Sequence, residues 1–304
     1  MATDVLQAST QILRWNHSWK HAASRFNCIM AWIVAILIPA EIVLAITLHL
    51  SGLRQLLAIW PALLALVVIL CYCRWYSFPK LIVLSELAIW SVLLTDILSL
   101  LIQLAGRSSR QLQDHALAAF DSRVHFNTAL FVHLADRIPA LHIASSIVYA
   151  SLPLLILAAV LIPPLCGHAD DSRRYIFGIV LSAVITALLF ALWPAAGPWT
   201  TEGFPPTREQ AMVTAYLMLL NSHVPAVLDM QKAGIVSFPS YHVVLAILSA
   251  IALSPIRSLR VAAWVLAALV CLSTVLTGWH YGVDVLGGLI VALMTDLAVR
   301  QIVL

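Results

Sequence analysis

The sequence predicts an all-α membrane protein, a polytopic bundle of about eight transmembrane helices. Hydrophobic residues make up 62% of the 304 positions and charged residues only 10%, whereas a soluble domain carries roughly 25% charged residues. The apolar residues form long continuous runs rather than the short alternating segments of barrel strands. The net charge of +3 is small, so we expect the lipid bilayer as a partner and no nucleic acid.

The N-terminal part, residues 1–105, is predicted to contain an interfacial segment and three accessory transmembrane helices. Arg14, Trp19 and Lys20 lie among polar and aromatic residues before the first apolar run, a mixture typical of a segment at the membrane surface. The three predicted spans are residues 28–50, 56–73 and 81–104.

The second part, residues 106–304, is predicted to contain five more spans and one amphipathic helix. Residues 116–134 carry apolar side chains at helical spacing with Asp121, Arg123 and His125 among them. This pattern predicts an amphipathic helix that lies on the membrane surface or is partly re-entrant. The five predicted spans are residues 143–165, 175–193, 240–253, 261–278 and 283–304.

Lysine and arginine near the span ends predict the orientation. With eight spans, both termini share one side, and in the short loops only Arg54 opposes the excess of positive charge on that side. The positive-inside rule therefore places both termini in the cytoplasm and the long polar stretches, 106–142 and 194–236, outside it. We expect a bacterial-type inner or plasma membrane. The basic residues of the short cytoplasmic loops are Arg74, Lys80, Arg173, Arg174, Arg257 and Arg260.

Two polar motifs flank the last apolar hairpin. Residues 238–242 precede the sixth predicted span, and residues 280–284 open the eighth. The chain crosses the membrane, turns at the basic hairpin 254–260 and returns. His242 and His280 are therefore expected on one membrane face, although about 38 positions separate them.

The residue types in these motifs suit proton and phosphoryl chemistry. His280 and Asp284 are four residues apart at a helix start, so they share a face, and the carboxylate orients the imidazole. Pro239 and Ser240 suit a helix start, whose free N–H groups bind anions. Taken alone, each motif is better explained by helix capping and an interfacial histidine.

Together the motifs favour phosphoryl transfer through a phosphohistidine. His280 attacks phosphorus while Asp284 holds the ring. His242 protonates the departing alkoxide and then activates water or an alcohol. Both residues would act on the extracytoplasmic side, given the predicted orientation.

The motifs resemble those of the type 2 phosphatidic acid phosphatase superfamily. Residues 238–242, Phe-Pro-Ser-Tyr-His, resemble its PSxH motif, and residues 280–284, His-Tyr-Gly-Val-Asp, resemble its HxxxD motif. The resemblance covers about residues 193–288. It implies a helical membrane core with a metal-independent interfacial site that needs no cofactor.

The resemblance also implies a role for each matching residue. His280 is the implied nucleophile, His242 the general acid and base, Asp284 the orienting carboxylate and Ser240 a phosphate ligand. Tyr241 fills the variable position of PSxH, so its backbone N–H is expected to matter more than its ring.

The sequence departs from the family at the basic residues that usually hold the phosphate. There is no KxxxxxxRP motif, and Pro194–Trp199 stands in its place. This segment resembles the proline- and tryptophan-containing motif of the aureobasidin-resistance/inositol phosphorylceramide synthase-like branch. The family's arginine six residues before the second histidine is Thr274 here. Lys232 and Arg208 are candidate substitutes, although each is also explained as a plain surface charge.

Three functions follow as hypotheses. The first is a lipid phosphatase, with residues 106–304 as its catalytic core, acting on a membrane lipid phosphomonoester or pyrophosphate. The second is a phosphotransferase that moves a phospho-head group onto a lipid alcohol. The third is a transporter, suggested by Glu41, Glu86 and Asp96 inside apolar spans, where charge is costly. These acids could instead be protonated or paired inside the bundle, and we favour pairing.

Overall fold

The computed structural model describes residues 2–51, 57–108, 111–222, 224–227 and 234–302, with side chains from Arg25 onward. Lys232 lies outside the described residues. The chain divides into two compact units, residues 1–40 and 41–304. The predicted division into residues 1–105 and 106–304 stays a prediction.

The described residues are almost entirely helical, which confirms the predicted fold class. Two short strands, β1 (Leu50–Ser51) and β2 (Ala226–Val227), pair in parallel. The helices are α1 (Ala2–Thr47), α2 (Trp60–Trp75), α3 (Pro79–Ser108), α4 (Asp114–Arg123), α5 (Thr128–Arg137), α6 (Pro139–Ala150), α7 (Leu152–Leu165), α8 (Ala169–Leu192), α9 (Arg208–Asn221), α10 (Tyr241–Leu253), α11 (Arg257–Leu276) and α12 (Gly282–Ile302).

Seven segments of the described chain are long and apolar enough to cross a membrane. They are Arg25–Thr47, Leu57–Trp75, Pro79–Ser108, Pro139–Leu165, Ala169–Leu192, Arg257–Leu276 and Gly282–Ile302. The remaining predicted span corresponds to α10, which is apolar but only 13 residues long. The chain is therefore an integral membrane protein whose helices agree closely with the predicted spans.

Two predicted elements differ from the structure. Residues 116–134 were expected to form one amphipathic helix, and this expectation is wrong, because α4 ends at Arg123 and α5 begins at Thr128. His125 between them has a left-handed φ of 57°, and the Asn127 side chain caps α5 by accepting from the N–H of Leu130.

The fourth span is likewise two helices, α6 and α7, which meet at Ser151. Pro153 in the first turn of α7 has no N–H to donate to the preceding turn, so the regular hydrogen-bond ladder is interrupted there. The two helices together still form one candidate span of 27 residues.

Helix α10 is the central helix of the second unit. It packs against α7, α8, α11 and α12, and most of its residues are buried. Thirteen residues rise about 20 Å, less than the ~30 Å of a bilayer hydrocarbon core. We call the end of the bundle at which α10 begins the motif end, and the end at which it stops the far end.

The acids inside the apolar spans differ in their surroundings. Glu86 accepts from the Arg74 guanidinium at 2.8 Å, which confirms structural pairing for this residue. Glu41 is buried, and its Oε1 has no hydrogen-bond partner among the described residues. Asp96 is half-buried. Pairing therefore accounts for one of the three acids that suggested a transporter.

Candidate active site

The two motif histidines lie side by side at the motif end. The centroids of the His242 and His280 rings are 5.8 Å apart, and the rings are tilted by 58°. The backbone N–H of Ser240 donates to the carbonyl of Asp284 at 3.0 Å, which joins the start of α10 to the start of α12. The predicted proximity of the two motifs is present in the structure.

Hydrogen bonds fix the orientation of His280. Its Nδ1 lies 3.0 Å from the carbonyl oxygen of Ser237 and 3.4 Å from Oδ2 of Asp284. A carbonyl oxygen only accepts, so Nδ1 carries the hydrogen and Nε2 keeps its lone pair. The backbone N–H of His280 donates to the carbonyl of Thr274 at 3.2 Å. These contacts fix the ring of His280 through Nδ1 and leave Nε2 outside them.

Asp284 is fully buried and only partly paired. Its Oδ2 accepts from the Ser237 hydroxyl at 2.8 Å and from the N–H of Tyr281 at 2.9 Å. Its Oδ1 has no hydrogen-bond partner among the described residues. A buried carboxylate with spare acceptor capacity favours positive charge nearby, and the His280 ring is the adjacent group.

The start of α10 supplies the expected helix terminus. The Ser240 hydroxyl caps the helix by accepting from the N–H of Val243, over a long 3.5 Å. The N–H groups of Tyr241 and His242 belong to the first turn and have no intrahelical acceptor. A side chain at position 288 would place its Cβ only 2.5 Å from the Ser240 carbonyl oxygen, so Gly288 allows this close approach.

The Tyr241 ring points away from the histidines. Its hydroxyl donates to the carbonyl of Ile179 in α8 at 3.1 Å. This bond anchors α10 to its neighbour and leaves the backbone N–H as the part of Tyr241 that is available to an anion, in line with the expectation from the sequence.

Aromatic rings enclose the histidines. Tyr149 stacks on His242 with ring centroids 4.4 Å apart and on Trp279 at 6.1 Å. Trp199 meets Trp279 edge-on at 5.6 Å. Only 2% of His280 is exposed. The site is therefore enclosed and largely apolar apart from the motif residues, which strengthens electrostatic interactions within it.

Two carboxylates of α4 hold the site together, and the sequence did not single them out for this role. Asp121 accepts from the N–H groups of Gly282 and Val283 at 2.6 and 2.8 Å and so caps α12. Burial raises the pKa of Asp121, although these two N–H bonds lower it.

Asp114 binds the segment that replaces the first family motif. It accepts from the N–H groups of Ala196 and Gly197 and from the Tyr281 hydroxyl, which lies 3.2 Å from its Oδ1. Burial and the nearby Asp114 carboxylate raise the pKa of Tyr281, so its hydroxyl stays a donor. The amides of residues 196 and 197 are thus engaged by protein and form a framework beside the site.

The structure brings together four of the predicted site residues, with Tyr241 beside them. Arg208 is the exposed first residue of α9, and no described hydrogen bond or ion pair joins it to the histidines. Thr274 is buried, with its hydroxyl bonded to the Cys271 carbonyl at 2.7 Å, so it does not replace the family's arginine.

An apolar cavity of about 540 Å³ extends from the site into the bundle. His242 and Tyr241 line one end of it, and its walls come from α3, α7 and α8. Its lining along α3 runs from Ala88 to Ile102, a rise of about 21 Å.

Comparison with known families agrees with this geometry. The family model described as the PAP2 superfamily matches residues 115–298, more than half of the chain. No curated protein and no solved structure matches the chain. The match is to the superfamily as a whole, and it does not show whether the chain belongs to the aureobasidin-resistance/inositol phosphorylceramide synthase-like branch. Membership indicates a lipid enzyme of the phosphatase or phosphotransferase type. With both motif histidines, Asp284 and the helical core inside the matched region, the chain belongs to the PAP2 superfamily.

Proposed function

We propose that the protein is an integral membrane lipid phosphatase that forms a phosphohistidine at His280. The observation that carries this proposal is the pairing of the two imidazoles, 5.8 Å apart, with Nδ1 of His280 engaged and Nε2 free. The substrate would be a lipid phosphomonoester or pyrophosphate, and the mechanism needs no metal.

In the first step, the lone pair on Nε2 of His280 forms a bond to phosphorus. The bond from phosphorus to the alkoxide or phosphate leaving group breaks, and His242, protonated, gives its proton to that group. The positive charge that develops on His280 lies beside the buried Asp284 carboxylate, 3.4 Å away. That carboxylate stabilises the charged ring.

In the second step, His242 is neutral and takes a proton from a water molecule. The oxygen of that water bonds to phosphorus as the P–N bond to His280 breaks. Inorganic phosphate leaves, and both histidines return to their starting protonation states. Proton and charge therefore balance over the cycle without any further reactant.

The phosphoryl oxygens would lie at the start of α10. The Ser240 hydroxyl and the first-turn N–H groups of Tyr241 and His242 converge there, where the helix dipole favours negative charge. Arg208 and Lys232 remain candidates for the missing basic clamp.

The apolar cavity supports a substrate with a long hydrocarbon chain. It opens at His242 and continues for about 21 Å along α3, somewhat more than the ~15 Å depth of one leaflet's hydrocarbon layer. A phosphate bound at α10 would thus have its chain in the cavity. We propose, from the positive-inside rule, that this end of the bundle faces the extracytoplasmic leaflet.

The decisive test is the His280→Ala variant, compared with His142→Ala. His142 is exposed and pairs only with Asp136, so its loss leaves the site intact. We expect His280→Ala to fold, to release no phosphate from lipid phosphates and to retain no acid-labile phosphoryl label. His142→Ala is expected to match the wild type in both assays. Sustained turnover by purified His280→Ala would refute the nucleophile.

A second candidate function is phosphotransfer onto a lipid alcohol. The contact between Trp199 and Trp279 favours it, because it places the segment resembling the inositol phosphorylceramide synthase-like branch directly beside His280. Product analysis separates the two reactions. Free phosphate from a lipid phosphate indicates hydrolysis, and a new phosphodiester formed only when an acceptor lipid is supplied indicates transfer.

A further inference from the structure

A second cavity, of about 400 Å³, lies at the far end of the bundle. It is enclosed by the beginning of α8, the end of α10, the beginning of α11 and the end of α12. It forms where the short α10 stops between longer neighbours, since α8 has 24 residues and α12 has 21. The first residue of α10 that lines it, Leu248, is six positions from His242, a rise of about 9 Å.

Three arginines line this far-end cavity: Arg174, Arg260 and Arg300. Two aspartates, Asp171 and Asp296, line it as well. With three arginines and two aspartates, the lining carries a net charge of +1, which favours an anionic ligand.

The three guanidinium groups are only lightly engaged within the protein. Arg300 pairs with Asp296 at 2.8 Å, and Nε of Arg260 donates to the Ser254 carbonyl at 2.7 Å. Arg174 lies 4.0 Å from Asp171, and its Nε is buried without a partner among the described residues. Each guanidinium offers five N–H donors, so most of these donors remain for a ligand.

We propose that the far-end cavity binds the phosphate of an anionic phospholipid head group from the leaflet opposite the histidines. Guanidinium groups match phosphate oxygens in a two-pronged geometry, and basic pockets between transmembrane helices suit such head groups. Trp264, which is 40% exposed, lines the cavity as an interfacial residue. Leu248, Ile251 and Val299 provide an apolar wall for the first carbons of the chains.

The site joins the far ends of the helices that carry the motif residues. Helix α10 bears His242 at its other end, and α12 bears Asp284. A head group bound to Arg174, Arg260 and Arg300 crosslinks α8, α11 and α12 around the end of α10. The first consequence of binding is therefore greater stability of the folded protein.

The test is thermal unfolding of the full chain in detergent with phosphatidylglycerol, with phosphatidylcholine or with inorganic phosphate alone. We expect phosphatidylglycerol at about a hundred times its Kd to raise Tm by about 4 °C. Phosphatidylcholine and inorganic phosphate should give little change. Native mass spectrometry should show one retained phosphatidylglycerol molecule per chain.

Variants make the test specific. The Arg174→Gln/Arg260→Gln double variant should lose the rise in Tm and the retained lipid, whereas Arg137→Gln, at an exposed position at the end of α5, should keep both. If the double variant fails to fold, each single variant should show a reduced response. His280→Ala should respond like the wild type, so this test is separate from the proposed catalysis.

Three results would overturn the proposal. A full response in the folded double variant would show that the arginines do not hold the head group. An equal response to phosphatidylcholine would remove the role of charge. A full response to inorganic phosphate would assign the cavity to a soluble anion instead of a lipid.

Discussion

At the scale of single residues, Asp284 joins the two motifs. It receives hydrogen bonds from Ser237 and Tyr281, lies 3.4 Å from His280, and through its backbone carbonyl accepts from Ser240. The spacing of His280 and Asp284 in the sequence predicts their shared face. Nothing in the sequence marks Ser237, whose carbonyl accepts from His280 and whose hydroxyl donates to Asp284, because one serine two positions before a PSxH motif carries no pattern of its own.

The Asp284→Asn variant separates the charge of this residue from its shape. The amide oxygen can still accept from Ser237 and Tyr281, but the negative charge beside His280 is gone. We expect turnover to fall by about 10²–10⁴-fold, with the thermal unfolding midpoint close to that of the wild type. Steady-state phosphate release checks the rate. A rate within threefold of the wild type would show that the charge has no catalytic role.

Asp121 gives a second prediction, on stability. The Asp121→Ala variant leaves the N–H groups of Gly282 and Val283 without their acceptor, and each unpaired buried group costs about 1–3 kcal/mol. We expect a lower free energy of unfolding, measured by denaturant titration, and a reduced turnover because the start of α12 shifts.

The matched control for Asp121 is Asp136→Ala. Asp136 is 55% exposed and pairs with His142 at the surface, and such a pair contributes at most about 1 kcal/mol. If the two alanine variants lose equal stability, the capping role of Asp121 is wrong.

At the scale of elements, the hydrophobic pattern predicts the apolar helices well and the polar segments poorly. Runs of about 20 apolar residues have few alternatives in a membrane protein, since a spanning chain must satisfy its backbone groups internally. The polar segments depend on distant contacts instead. The bond between Tyr281 and Asp114 joins residues 167 positions apart. The division of residues 116–134 into α4 and α5 is a local exception, because it depends on the left-handed backbone of His125, which the helical spacing of apolar residues does not reveal.

The apolar cavity beside His242 gives a prediction at this scale. In the Val92→Trp variant a large ring occupies the space between α3, α7 and α8. If the ring keeps two methylene groups of a bound chain out of the cavity, the binding free energy falls by about 1.6 kcal/mol. This loss corresponds to a more than tenfold rise in KM. We expect this rise for long-chain lipid phosphates and no change for a short, water-soluble phosphate ester.

A tryptophan on the outer surface is the control for this variant. Val261 in α11 is 72% exposed, so Val261→Trp adds the same ring outside the cavity. Equal KM values for the long-chain substrate in both tryptophan variants would show that the cavity does not hold the chain.

At the scale of the whole molecule, the distribution of basic residues predicts the orientation. Arg74, Lys80 and Arg174 lie at the far end, and the Lys80 ammonium donates to the carbonyl of Leu165 there. This bond joins two of the loops, and the positive-inside rule predicts that they face the cytoplasm.

Thiol labelling in intact cells tests this orientation. A chain whose only cysteine replaces Pro206, an exposed residue before α9, should react with a membrane-impermeant reagent from outside. A chain whose only cysteine is Cys166, exposed between α7 and α8, should react only after the cells are permeabilised. The reverse pattern would place the histidines on the cytoplasmic side.

The shortness of α10 has an electrical consequence. The polar motif residues lie at one end of α10 and the far-end cavity with its arginines lies at the other. The low-dielectric path along the helix axis is therefore about 20 Å, compared with the ~30 Å of the surrounding hydrocarbon. A membrane voltage, worth about 2.3 kcal/mol per unit charge for each 100 mV, therefore drops about one and a half times as steeply through the centre of this protein. A phosphoryl group bound beside His242, as proposed, would lie at one end of that steepened field, and the three arginines lie at the other.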